Sequence, residues 1–177
     1  MKRSSIALVL ITLATTALAQ APRPDPRLKE LQPVAGNWQC TGEVFPSPFG
    51  PAHPEVGNVD GHWMLGNFWL SLHFKETKTA KSPVPYEISM FLGYDSELKK
   101  LVLGSVDNTG AYETAQSDGW KGDVLTFEGP SHGAGMTIVS RDTFTTKGPN
   151  VLSHSFLYQE KDGSWKKVEE DHCTRTK

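Results

Sequence analysis

Histidine, carboxylate and cysteine are the side chains here that could do chemistry, and few of them stand at a spacing that one particular reaction demands. His154 shares strand parity with Leu152, Phe156 and Tyr158, so an extended backbone puts its imidazole on an apolar face. An imidazole in that setting is a candidate general base. Asp107, closing a short apolar run, is the second candidate, and the two define an enzyme reading: an isomerase or hydrolase using His154 or Asp107. Glu113, Asp142, Glu169 and Asp171 also fall in strand-like segments. A carboxylate buried there needs a donor, which an arginine or Tyr86 can supply, and such pairs fix an interior as readily as they catalyse. His62 and His73 fall on strand faces directed at solvent. Neither they nor His154 show the His-x-Glu or His-x3-His spacing of a recognisable metal site, so no metal is expected. The chain also lacks Gly-x-Ser-x-Gly, a phosphate loop and a dinucleotide fingerprint.

Cys40 and Cys173 are the only cysteines, and they lie near opposite ends of the chain. In an antiparallel pair one strand counts up as the other counts down. The register that sets Cys40 against Cys173 therefore also sets Trp38 against Arg175, on the same face, because both partners are two residues away. That predicts one disulfide and a cation–π contact between first and last strands. It also removes the cysteines as nucleophiles. Glu169 and Asp171 share the parity of Cys173, which turns them inward, whereas His172 turns outward.

The elements that must position these residues begin after a leader. Residues 1–19 carry Lys2 and Arg3, an apolar stretch from Ile6 to Leu18 and the small-residue pattern Ala17-Leu18-Ala19, the features of a signal peptide. The expected product is periplasmic or secreted, with no membrane insertion after cleavage, and the oxidising compartment favours the disulfide. Losing Lys2 and Arg3 takes 18 basic residues to 16 against 20 acidic ones, a formal charge of −4, which argues against nucleic acid and anionic membranes as partners. Residues 20–26 read as a disordered lead. From Asp25-Pro26 to Leu31 a short capped helix is expected, with Leu28 and Leu31 facing in.

Beyond it the period is two throughout. Ten strands are expected, near 36–45, 56–65 and 68–76, a fourth through Tyr86, Ile88, Met90 and Leu92, a fifth through Leu101 and Leu103, then 111–120, 124–128, 136–147, 151–160 and 165–175, joined by short turns rich in Gly, Asp and Asn. Gly129 to Gly135 is taken as a bend. An even number of strands lets the first and last pair antiparallel, so the expected fold over 27–177 is a single all-β, ten-stranded, antiparallel up-and-down barrel with a short N-terminal helix. Alternation turns Phe68, Leu70 and Leu72, then Tyr86, Ile88, Met90 and Leu92, and later His154, Phe156 and Tyr158 into the lumen. Ten strands enclose more width than side chains fill. Those residues are therefore the candidate ligand-binding set, for a small hydrophobic or amphipathic molecule held by a monomer.

The Gly36-x-Trp38 pattern, with Arg175 on the last strand, resembles the signature of lipocalin-like (calycin) barrels, where the tryptophan closes one end and the arginine covers its ring. Gly42, Gly61 to Gly66, Leu92-Gly93-Tyr94-Asp95, Ser105-Val106-Asp107 and Asp118-Gly119-Trp120 then follow in the order of a bacterial family of exported, lipocalin-like domains of unknown function. That resemblance spans about residues 30–175; it implies the fold and brings no catalytic residues. A more distant resemblance is to nitrobindin-like haem barrels, which take an axial histidine from the last strand, here His172. Since His172 faces outward in the register above, no cofactor is expected. The third alternative is a structural or interaction module whose barrel is filled.

Overall fold

A computed structural model of the chain describes residues 21–80 and 82–176. The expected signal peptide lies outside the described residues. Asp25 caps a 3-10 turn at Pro26–Leu31, its carboxylate accepting from the Arg27 amide, and Leu28 and Leu31 are buried as expected. The helix is thus a single tight 3-10 segment.

The strands are β1 Gly36–Val44, β2 His53–Met64, β3 Trp69–Glu76, β4 Glu87–Asp95, β5 Lys100–Asp107, β6 Tyr112–Ser117, β7 Trp120–Lys121, β8 Val124–Gly133, β9 Met136–Thr146, β10 Val151–Gln159 and β11 Trp165–Arg175. Each pairs antiparallel with its neighbour, β1 with β11, and β6 with β8, so ten staves close the barrel and β7 is a two-residue spur on β8.

Four boundaries differ from the sequence expectation. β2 begins at His53 and not near residue 56, with Pro54 opposite Glu43 of β1. Phe68 belongs to the turn before β3, where Gly66 and Asn67 both have positive φ, so the strand cannot begin until Trp69. The expected strand 111–120 breaks after Ser117 at Gly119, φ 104°, and Trp120 leaves the wall to donate its indole N–H to the Glu30 carbonyl at 2.7 Å. The glycine-rich stretch taken as a bend is instead part of β8, which runs through Gly129 to Gly133. The reason lies at the closing seam. A Cβ on Gly129 would sit 2.1 Å from the Thr114 carbonyl oxygen and 2.7 Å from Ala115 Cα, so glycine is what lets β8 approach β6.

The β1–β11 seam has the expected register. Trp38 opposes Arg175 and Cys40 opposes Cys173, and the cysteines are bridged across a separation of 133 residues. Such a bridge belongs to oxidising, non-cytoplasmic settings. No helix among the described residues is long and apolar enough to cross a membrane. The Arg175 guanidinium carbon lies 4.0 Å from the centre of the Trp38 ring, and its nitrogens donate to the carbonyls of Pro33, Ala35 and Pro149. Trp38 itself is buried and donates to the Val34 carbonyl at 3.1 Å. One end of the barrel is therefore sealed. Behind that seal Leu70, Leu92, Leu101, Leu103, Leu125 and Phe127 are buried and pack as a solid base.

Candidate functional site

Above this base the barrel is hollow. A cavity of about 410 Å³ is lined by residues of nearly every stave and reaches the loops at the far end, among them Phe49 of the β1–β2 loop, Thr109 and Ala111 of the β5–β6 turn and Ala134 of the β8–β9 turn. Strand alternation explains the wall. Leu72 and Phe74 of β3 and Ile88 and Met90 of β4 face in, so one flank is apolar.

The opposite flank is acidic. Its layout follows from register: Glu55 of β2 opposes Gly42 of β1, Gly42 opposes Asp171 of β11, and Asp171 opposes His154 of β10. The next inward row sets Val44 against Glu169, Glu169 against Phe156, and Phe156 against Asp142. Gly42 leaves the space the carboxylate needs, since a Cβ there would lie 2.2 Å from Asp171 Oδ1. His154 is held between two of these acids, its Nε2 3.0 Å from Asp142 Oδ1 and its Nδ1 3.5 Å from Glu169 Oε1. The side chains of Glu55, Asp142 and Asp171 are almost wholly buried, yet Glu55 Oε2, Asp142 Oδ2 and Asp171 Oδ1 have no hydrogen-bond partner among the described residues. Native interiors leave few such groups unmatched.

Protonation follows from crowding acids in a dry space. Burial, then the charges of Glu169, Asp171 and Glu76, push Glu55 up to about 9. Burial, then the neighbouring Asp142, push Glu113 up to about 9, and burial with Glu169 takes Asp171 to about 7. Burial alone would discharge His154, but its bonds to Asp142 and Glu169 outweigh that and hold its pKa well above the usual imidazole range. At neutral pH the lumen thus contains neutral Glu55 and Glu113 beside an imidazolium, so it can donate as well as accept hydrogen bonds.

Of the residues singled out in the sequence, Leu72, Tyr86, Ile88, Met90, His154 and Phe156 come together on this cavity. Leu70 and Leu92 lie in the packed base instead, each with no exposed surface. Phe68 sits in the turn ahead of β3 and does not line the cavity. Tyr158 sits at the rim, its ring edge-on to Phe49 at 5.7 Å. Asp107 lines the cavity, but its carboxylate is occupied: Oδ1 accepts from Thr109 and Ala111 amides, which shapes the β5–β6 turn, and Oδ2 accepts from the Tyr86 hydroxyl at 3.1 Å. His172 is exposed on the outer face and contacts Ser153 at 3.0 Å, so a ligand bound through it would lie outside the barrel. Two lumen residues had gone unnoticed in the sequence, His53 and Glu55. The signal was His53-Pro54-Glu55, a pair at strand spacing in a segment whose Pro54 reads as loop.

A family model described as a protein of unknown function, DUF1579, matches residues 23–175. The chain belongs to this family. The match covers the whole barrel, both seams and every acidic residue of the lumen. No curated protein matches the chain. Among solved structures the family member is similar to the crystal structure of Rv2717c from M. tuberculosis, with a TM-score of 0.62 at 15% identity over 88% of this chain and 100% of that one. That likeness concerns the fold.

Proposed function

We propose that this DUF1579 protein is an exported, monomeric binding protein that holds one small amphipathic molecule in its lumen. The observation that carries the reading is the 410 Å³ cavity, a volume within the range of small-molecule sites, apolar on one flank and acidic on the other. A solid base under a hollow upper half separates it from a barrel filled by its own side chains. The ligand's apolar body lies against Leu72, Phe74, Ile88 and Met90. Its polar end meets the acidic flank, which offers hydrogen-bond donors as well as acceptors. Asp107, saturated by its turn, is not free to act as a base, and His154 serves to hold the acidic flank rather than to turn a substrate over.

Native mass spectrometry of the protein recovered from an oxidising compartment tests this. A single bound small molecule, lost on denaturation, is the expected result. Protein free of adducts that also takes up no amphipathic probe would overturn the binding reading.

A further inference from the structure

The acidic flank of the lumen has a geometry that a ligand pocket alone does not require. His154, Glu169 and Asp171 each offer a donor atom, and these atoms lie within 4.8 Å of one another. Ligands around a first-row metal at about 2.0–2.2 Å sit roughly 3–4 Å apart, so modest side-chain rotation closes the set. Two further observations point to an ion. Asp171 Oδ1 and Glu55 Oε2 are buried, belong to residues that line this cavity and have no partner among the described residues. The two ring nitrogens of His154 are differentiated: Nε2 meets buried Asp142, while Nδ1 faces Glu169. A carboxylate on the far nitrogen is how a metal-bound histidine is oriented and its tautomer fixed.

We propose that His154 Nδ1, Glu169 and Asp171 bind a divalent transition-metal ion such as Zn²⁺ in the lumen, the ion displacing the imidazolium proton to bulk water and Asp142 positioning the imidazole. Mixed nitrogen and carboxylate donors suit Zn²⁺ and its first-row neighbours better than Mg²⁺, which seeks oxygen and water. Glu169 and Asp171 share one face of β11 and His154 faces Asp171 from β10, so the set forms across a strand pair and no linear spacing links the histidine to the acids. The ion would lie one inward position above the Cys40–Cys173 bridge, with the open side of its coordination sphere toward the cavity. This proposal does not depend on the identity or existence of an organic ligand.

The test uses disulfide-intact protein treated with EDTA and desalted, then titrated with Zn²⁺ by calorimetry and with Co²⁺ by visible absorption. One ion per chain is expected, with Co²⁺ d–d bands shifted and intensified relative to the aquo ion. Asp171→Asn and Glu169→Gln, both close in shape to the native residues, should each abolish stoichiometric binding with the circular dichroism spectrum unchanged. Asp142→Asn should weaken binding roughly 10–100-fold, the usual cost of losing an orienting partner. His172→Ala, on the outer face, should bind as the native protein does. Absence of stoichiometric Zn²⁺ binding would overturn the proposal, as would binding that survives Asp171→Asn and Glu169→Gln but is lost in His172→Ala. Uptake of an organic amphipathic probe without any metal would leave the binding function standing and sink the metal site alone.

Discussion

Glu113→Gln should stabilise this protein at alkaline pH and leave it unchanged in acid. The carboxyl of Glu113 is buried on β6, accepts from the Ser140 hydroxyl and stands beside Asp142 of β9, with His154 of β10 the nearest cation acting on it. Burial and the Asp142 charge raise its pKa from 4.5 to about 9. A raised acid is protonated in the folded state while the unfolded chain has already lost its proton. The cost is therefore absent below about pH 4.5, grows as pH rises, and is complete above about 9. Each unit is worth about 1.4 kcal/mol, so at pH 7 the native protein carries a penalty of at most about 3.5 kcal/mol. Glutamine keeps the shape and does not titrate. For a protein of this size 1 kcal/mol moves Tm by about 2–4 °C, so Glu113→Gln should melt several degrees higher at pH 8 and coincide with the native protein near pH 4.5. Thermal melts followed by circular dichroism from pH 4.5 to 8.5 would show a gap that widens with pH. A constant gap, or one that widens toward acid, would refute the assignment of a buried, neutral Glu113.

Thiol titration of denatured, unreduced protein should find no free cysteine, and reduction should lower stability by up to about 5 kcal/mol, given a loop of 133 residues. Arg175→Ala removes the cover of Trp38 and three backbone contacts that tie the chain ends together, so it should cost about 1–3 kcal/mol and raise tryptophan quenching by acrylamide. Gly129→Ala drives a Cβ into the backbone of β6 at the closing seam and should cost about 1–3 kcal/mol, with faster amide exchange at Thr114 and Ala115 as the local marker.

Where the period-two rule operated without interruption, the sequence was legible. Parity alone paired Cys40 with Cys173, put Arg175 on Trp38 and turned His172 out and Asp171 in, because strand alternation leaves only two choices per side chain. It could not say how deep an inward residue lies. Leu70 and Leu92 share a face with Leu72 and Met90, but the 3-10 segment with Leu28 and Leu31 fills their end of the barrel and leaves the other end hollow. Glycine was the other source of error. Gly129 and Gly133 look like a bend in sequence, yet they mark a strand crossing another backbone at close range. The acidic flank was half visible: Glu169 and Asp171 followed from parity with Cys173, whereas Glu55 sat behind Pro54 in a stretch that resembles loop. Its union with His154 arises only from barrel closure, which brings β2, β1, β11 and β10 side by side.

Occupancy of the lumen is the central claim, and titration with the small amphipathic fluorophore 1-aminoanthracene tests it most directly. The native protein should take up one equivalent with a blue-shifted emission. Ile88→Trp, which fills the apolar flank of the cavity, should abolish that uptake, and Thr41→Trp, on the exposed outer face, should not. A native protein that gives no saturable signal, or an Ile88→Trp protein that binds as well as the native one, would contradict the account.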